Sequence, residues 1–186
     1  MPMPTDYELY NQYLSGDSAA YDELMIRYGD SLTFFLYGYL HNWEDAEDLM
    51  IEAFARIMVK KPLIRKDGFR AYLYKTARNL ATRFSGNKSR LETFSLDGME
   101  AEIKDKTDIE GELASEEKKR VLHLCLERID PELREVLWLV YVEEMSYADA
   151  AAVMKVTRKR IDRIIQKGKE HLRLELDREG IKNPYE

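Results

Sequence analysis

Apolar residues recur at three- and four-residue spacing through most of this chain, and nowhere do they alternate as a half-buried strand requires. The spacing predicts a short helix from about Asp6 to Leu14, stopped by Ser15-Gly16-Asp17. A long helix follows from about Ser18 to Leu40, with Tyr21, Leu24, Met25, Tyr28, Leu32, Phe35, Leu36 and Tyr39 on one buried stripe. Asn42 is a good cap for a third helix reaching about Lys60. Its stripe is Ala46, Leu49, Met50, Ala53, Phe54, Ile57 and Met58, and Pro62 ends it. Asp67 is expected to cap a fourth helix with Phe69, Leu73, Ala77, Leu80 and Phe84 inward. The opposite face of that helix carries Arg70, Lys75, Arg78, Asn79 and Arg83, and Ser85-Gly86-Asn87 breaks or ends it.

The pattern then lapses. Residues 91–115 are rich in Asp, Glu, Thr, Ser and Gly, and Phe94, Leu96, Met99, Ile103 and Ile109 are too sparse for a core. Like charges extend such a segment, so a mobile acidic linker is expected there. Helical periodicity resumes from about Glu116 to Arg128. Asp130 caps the next helix with Pro131 at its first position, and Leu133, Val136, Leu137, Val140 and Tyr141 follow as its apolar face. Ser146 and Asp149 match a capping box opening a short helix in which Ala150, Ala151 and Val153 allow close approach. Lys155-Val156-Thr157 is a turn, and Thr157 can cap a last helix reaching about Arg178. The expected fold is therefore all-α, with two small helical domains (1–90 and 116–186) joined by the linker 91–115.

Charge changes this picture. The chain has 29 Lys+Arg and 35 Asp+Glu, a net of -6, and an apolar share of 45% that supports real cores. Residues 1–59 hold 2 basic and 11 acidic residues, whereas 60–90 hold 10 and 1. Residues 91–117 hold 2 and 10, and 118–186 hold 15 and 13, with eight of the fifteen cations between Lys155 and Arg173. Two cationic islands in an acidic chain point to two contacts with a polyanion that net charge alone would have hidden.

The two islands suit different forms of nucleic acid. The last two helices and their turn make a helix-turn-helix, whose second helix can enter a major groove. Basic side chains there displace phosphate counterions and donate forked hydrogen bonds to guanine. The bland alternative is a solvated charged face on a small bundle. In the other island the cations are interleaved with Phe69, Tyr72 and Tyr74, as single-stranded DNA binding needs, because bases stack on rings while cations follow the backbone. Phe69 fits the buried stripe; Tyr72 and Tyr74 fit either role.

Other chemistry is not indicated. Cys125 sits in an apolar stretch and reads as a buried structural thiol. His41, His123 and His171 have no metal-site spacing around them. Trp43 and Trp138 fit helix-packing positions. No Gly-rich phosphate loop, nucleophile elbow or catalytic carboxylate pair occurs, so neither an enzyme nor a cofactor is expected. No apolar run approaches a membrane span and no signal-peptide pattern opens the chain, which fits a cytoplasmic protein.

Three segments carry a resemblance. Asp45-Ala46-Glu47-Asp48-Leu49, with Phe54 a turn later, looks like the acidic polymerase-docking helix of sigma-70-type initiation factors. Phe69-Arg70-Ala71-Tyr72-Leu73-Tyr74-Lys75-Thr76-Ala77-Arg78-Asn79-Leu80 resembles the promoter-melting helix of their extracytoplasmic-function subgroup. Pro131-Glu132-Leu133-Arg134-Glu135-Val136, then Met145 to Ala151, is similar to that subgroup's promoter-binding domain. The resemblance implies that Asp45, Asp48, Leu49 and Glu52 face core RNA polymerase, at the clamp helices of its largest subunit. It implies that Tyr72, Lys75, Arg78, Asn79 and Arg83 face the melted −10 strand of promoter DNA. Thr157, Arg158, Lys159, Arg160, Arg163 and Lys167 would read the duplex −35 element while the outer surface of that domain sits on the flap of the second-largest subunit. An anti-sigma factor is a further implied partner.

The chain also departs from the family. Lys155 stands where relatives commonly have a turn glycine, so a differently shaped turn is expected. Asp162 and Ile164 replace usual basic residues. Two other readings stay open at this level: a helix-turn-helix regulator acting without polymerase, and a helical adaptor with no DNA role.

Overall fold

The computed structural model describes residues 3–87, 94–95, 121 and 124–180. Among these residues every regular element is helical. Four helices form an N-terminal bundle: α1 (Asp6–Leu14), α2 (Ser18–Leu40), α3 (Trp43–Lys60) and α4 (Phe69–Asn87). The C-terminal unit holds α5 (Pro131–Leu137), α6 (Tyr147–Met154) and α7 (Arg158–Arg178). Val121 and residues 124–128 are helical ahead of α5; the other residues of the helix expected from 116, like linker residues 91–93 and 96–115, lie outside the described residues.

The caps are those the sequence supplies. Thr5 and Glu8 make a reciprocal capping box on α1. Asp17 caps α2, Asn42 caps α3, and Asp130 caps α5 with Pro131 at its start. Asp67 does not cap α4. It sits in left-handed backbone (φ 61), and the carbonyl of the next residue, Gly68, accepts the first helical N–H from Tyr72 at 3.0 Å.

The N-terminal core is built on Leu24, Leu32, Phe35 and Leu36 of α2, Phe54 and Ile57 of α3, and Phe69 and Leu73 of α4, all essentially sealed from solvent. Each such side chain contributes about 1.5–3 kcal/mol by leaving water. Buried tyrosines donate their hydroxyls to backbone carbonyls: Tyr21 to that of Phe54, within α3, at 2.5 Å and Tyr10 to that of Pro62, in the loop after α3, at 2.9 Å. The core of the C-terminal unit is Leu133, Val136, Leu139, Val153, Ile161 and Ile165. Cys125 is buried, as expected.

Three expectations fail in instructive ways. Trp43 is not core: it is 40% exposed, stacked on Tyr37 at 4.1 Å between ring centroids. Phe94, read as linker, is buried among Phe35, Tyr39 and Trp138. And α5 does not run on regularly. After Leu137 it passes into a wide π-type turn over Trp138–Val142, closed by the Glu143 N–H on the Trp138 carbonyl at 3.0 Å. The extra residue per turn leaves Tyr141 half in water, where Lys169 covers its ring at 5.1 Å.

The two units touch. Helix α6 lies along α4, where the small Ala150 and Ala151 permit close packing.

Candidate nucleic-acid interface

At 100° per residue, α4 presents two polar stripes. One consists of Tyr72, Thr76, Asn79 and Arg83, which with Arg56, Ile57 and Lys60 of α3 line an open cleft of about 170 Å³. Tyr72 is half-buried, so its ring forms part of the floor, and Arg83 at the rim is exposed. Lys75 lies at the edge of this stripe, half-buried. Four of the five residues expected to face a melted strand therefore share one accessible side of α4.

The fifth does not. Arg78 belongs to the second stripe, Arg70-Tyr74-Arg78, which is turned into the C-terminal unit. Arg78 donates through Nε to Glu135 at 2.7 Å, and its side chain is only 21% exposed. The Tyr39 hydroxyl donates to the same carboxylate, which is itself 4% exposed. Burial works against the Arg78 charge, but the bond to Glu135 and its negative charge outweigh that and hold the guanidinium pKa above its ordinary value.

Two turns away Glu143, 1% exposed, accepts from Arg70 at 3.0 Å, from the Tyr74 hydroxyl at 2.6 Å and from the Trp138 indole at 3.2 Å. The π-type turn is what brings Glu143 round to α4. Burial first, then the neighbouring carboxylate, pushes both Tyr39 and Tyr74 well above the usual phenol range. Tyr74, undecided in the sequence, is thus a buried interface residue.

The helix-turn-helix is intact. Thr157 accepts from the Arg160 N–H at 3.2 Å and caps α7. Ile161, Ile164 and Ile165 face inward, so Ile164 is a core residue and not a substituted DNA contact. Thr157, Arg158, Lys159, Arg160, Arg163 and Lys167 all lie on the exposed side. Arg160 is held by an exposed ion pair to Glu132 at 2.7 Å, worth little in water. The turn is not reshaped by Lys155, which takes the left-handed conformation itself (φ 57) and returns its N–H to the Ala151 carbonyl. Behind the motif, Leu126, Leu137, Trp138, Tyr141, Val142 and Leu172 line an apolar cleft of about 320 Å³.

On α3, Asp48 points to solvent and Asp45 is partly covered at the capped first turn. Glu52 is occupied by Arg56 one turn on, at 2.6 Å. Leu49, expected to face a partner, is 6% exposed and packs into the bundle. Its place in the apolar stripe of α3 is what decides this.

Sequence reasoning missed Glu135 and Glu143. Both interrupt the apolar run from Leu133 to Val142 or border it, and a carboxylate there needs a buried cationic partner. That signal was present, but nothing in one sequence says which arginine answers it. Among the described residues no group of His, Cys, Asp or Glu is arranged to hold a metal, and no helix is long and apolar enough to cross a membrane.

Two family models match, sigma-70 region 2 over residues 24–91 and sigma-70, region 4 over residues 119–172. The Escherichia coli (strain K12) protein named ECF RNA polymerase sigma-E factor is 27% identical over 159 residues, which span 81% of this chain and 83% of that one. CnrH, solved in complex with the cytosolic domain of CnrY, superposes with a TM-score of 0.64 at 22% identity, covering 92% of this chain and 97% of the other. The Bartonella quintana sigma factor RpoE, solved with the anti-sigma factor NepR, gives 0.55 at 20% identity over 84% and 96%. At that identity the two structures speak for the fold.

Proposed function

This chain belongs to the sigma-70 family, in its extracytoplasmic-function subgroup, and from that premise we propose how its surfaces divide the work of a sigma factor. Such a protein is a transcription initiation factor and not an enzyme. The face of α3 carrying Asp45, Asp48 and Glu52 docks on the clamp helices of core RNA polymerase. The cleft between α3 and α4 takes the melted −10 strand, with Tyr72 as a stacking surface and Lys60, Lys75, Asn79 and Arg83 along the backbone. The exposed side of α7, from Arg158 to Lys167, enters the major groove of the −35 element. The apolar cleft behind it seats the flap of the second-largest subunit. An anti-sigma factor is a regulatory partner, and the site of action is the cytoplasm.

One observation carries this reading. An outward acidic helix stands directly beside a cationic, tyrosine-lined cleft in the same bundle, and a helix-turn-helix lies further along the chain. A regulator that only reads duplex DNA has no use for the first two.

Run-off transcription with purified core polymerase over a genomic library tests it. Specific transcripts are expected only when the chain is added. Duplex binding by the free chain, with no co-purification of polymerase, would return the regulator reading. Arg160→Ala is expected to weaken −35 recognition by about 1–3 kcal/mol if it reads a base edge.

A further inference from the structure

We infer that Glu132, at the start of α5, is a positioning residue for −35 readout: it fixes the guanidinium of Arg160 so that Arg160 meets one base pair in one orientation. This rests on the reading of α7 as the major-groove helix and adds a specificity determinant that comes from outside that helix.

The pair is built from two helix starts. Thr157 caps α7 and accepts the Arg160 N–H at 3.2 Å, which places Arg160 in the first turn. Glu132 follows Pro131 in the first turn of α5, and its own N–H donates to the Asp130 carboxylate at 2.9 Å. Both backbones are therefore fixed where the two side chains leave them. Arg160 Nη2 donates to Glu132 Oε1 at 2.7 Å, and the rest of each side chain is open to solvent.

The neighbours of Arg160 are treated differently. Arg160, Arg163 and Lys167 recur at three- and four-residue spacing along the exposed side of α7. Of these three, only Arg160 has a carboxylate partner among the described residues. A cation that merely follows phosphates is weakened by an acid beside it, because the acid meets the same polyanion. A cation that reads a base edge gains from being held, since a forked pair of bonds to guanine requires one orientation of the guanidinium plane. Arg160 keeps most of its donors for that task, because Glu132 takes a single one. The pair is worth little in water, and the same contact strengthens in a groove from which water has been expelled.

A simpler account gives Glu132 only the task of facing the positive end of α5. That task bears on helix stability and has no bearing on which base pair is preferred, so sequence preference separates the two accounts.

The test uses the chain assembled with core polymerase and a promoter recovered by run-off transcription, randomised over its −35 element. Wild type is compared with Glu132→Ala, Glu132→Gln, Arg160→Ala and the double variant Glu132→Ala/Arg160→Ala. Sequencing of the bound fraction gives the preference at each base pair. Arg160→Ala is expected to flatten one position. Glu132→Ala is expected to lower the preference at that same position by about five-fold or more. Its affinity for an unrelated duplex should hold or rise, because a negative charge has left the phosphate side. Glu132→Gln keeps an oxygen acceptor and should retain part of the preference. Without Arg160, removing Glu132 should change no preference.

Full preference at that position in Glu132→Ala overturns the inference, as does a loss shared equally by every position. A Glu132→Ala effect that persists without Arg160 overturns it too, and so does an Arg160→Ala variant with every preference intact. Run-off activity of the wild type is the separate control. Its failure removes the sigma reading and this inference with it, whereas the other adverse outcomes, with an active wild type, remove this inference alone.

Discussion

Lys155 is where a single residue most visibly works against its own backbone. It closes α6 in the left-handed region with its N–H on Ala151. A β-carbon there costs about 1–2 kcal/mol that glycine avoids. Lys155→Gly is therefore expected to stabilise the C-terminal unit by about 1 kcal/mol, read as a higher urea midpoint with unchanged slope. The position also shows why a departure from a family pattern is weak evidence for a changed shape: the contacts of α6 and α7 impose the turn, and lysine bears the strain. Tyrosines make a second residue-level expectation. Burial, with the neighbouring Tyr13 and Tyr72, pushes Tyr10 up to about 12 and raises Tyr21 and Tyr28 further. A folded pKa above the unfolded value near 10 means the neutral phenol is the form the fold prefers. That stability is fully present below about pH 10 and is lost as pH rises through about 12. Urea midpoints should hold from neutral pH to about 9 and then fall, in step with tyrosinate absorbance.

At the level of the helix, legibility depended on whether a face meets its own bundle or something else. The stripes of α2 and α3 were readable because their partners are neighbours in sequence, and the caps at Asn42, Asp130, Ser146 and Thr157 because a cap is a local bond. The two polar sides of α4 were not separable, since Arg78 and Asn79 are adjacent in sequence and both polar. Only the position of Glu135 assigns one to an interface and the other to the cleft. Leu49 shows the opposite: periodicity alone placed it in the core, and the docking role taken from resemblance gave way to it. For the acids of α3 docking is the proposed role. Asp48→Arg is expected to abolish co-purification with core polymerase while leaving the circular dichroism spectrum and melting temperature within error, because an exposed charge costs the fold little. Retained association would take α3 out of the polymerase contact. The π-type turn at Trp138–Val142 had no sequence signature, because an apolar run reads alike in either helix.

Over the whole molecule, the sequence correctly separated two helical units but treated Phe94 as tether, since one aromatic residue in an acidic stretch carries no periodicity. Its burial links the two cores. Wild-type chain is accordingly expected to unfold in urea in one transition by tryptophan fluorescence and circular dichroism alike, whereas Phe94→Ala should separate it into two. Coincident single transitions in both proteins would mean that the units do not rely on the ring to melt together. The lone thiol has a practical consequence at this scale. Cys125 is fully covered, with Arg128, Glu175 and Glu179 as its charged neighbours. A disulfide reagent can therefore react only when the packing around Cys125 opens. The rate of that reaction is a clock for this motion, supplied by the natural chain without a dye, a tag or a substitution, and it can be run with polymerase absent or bound.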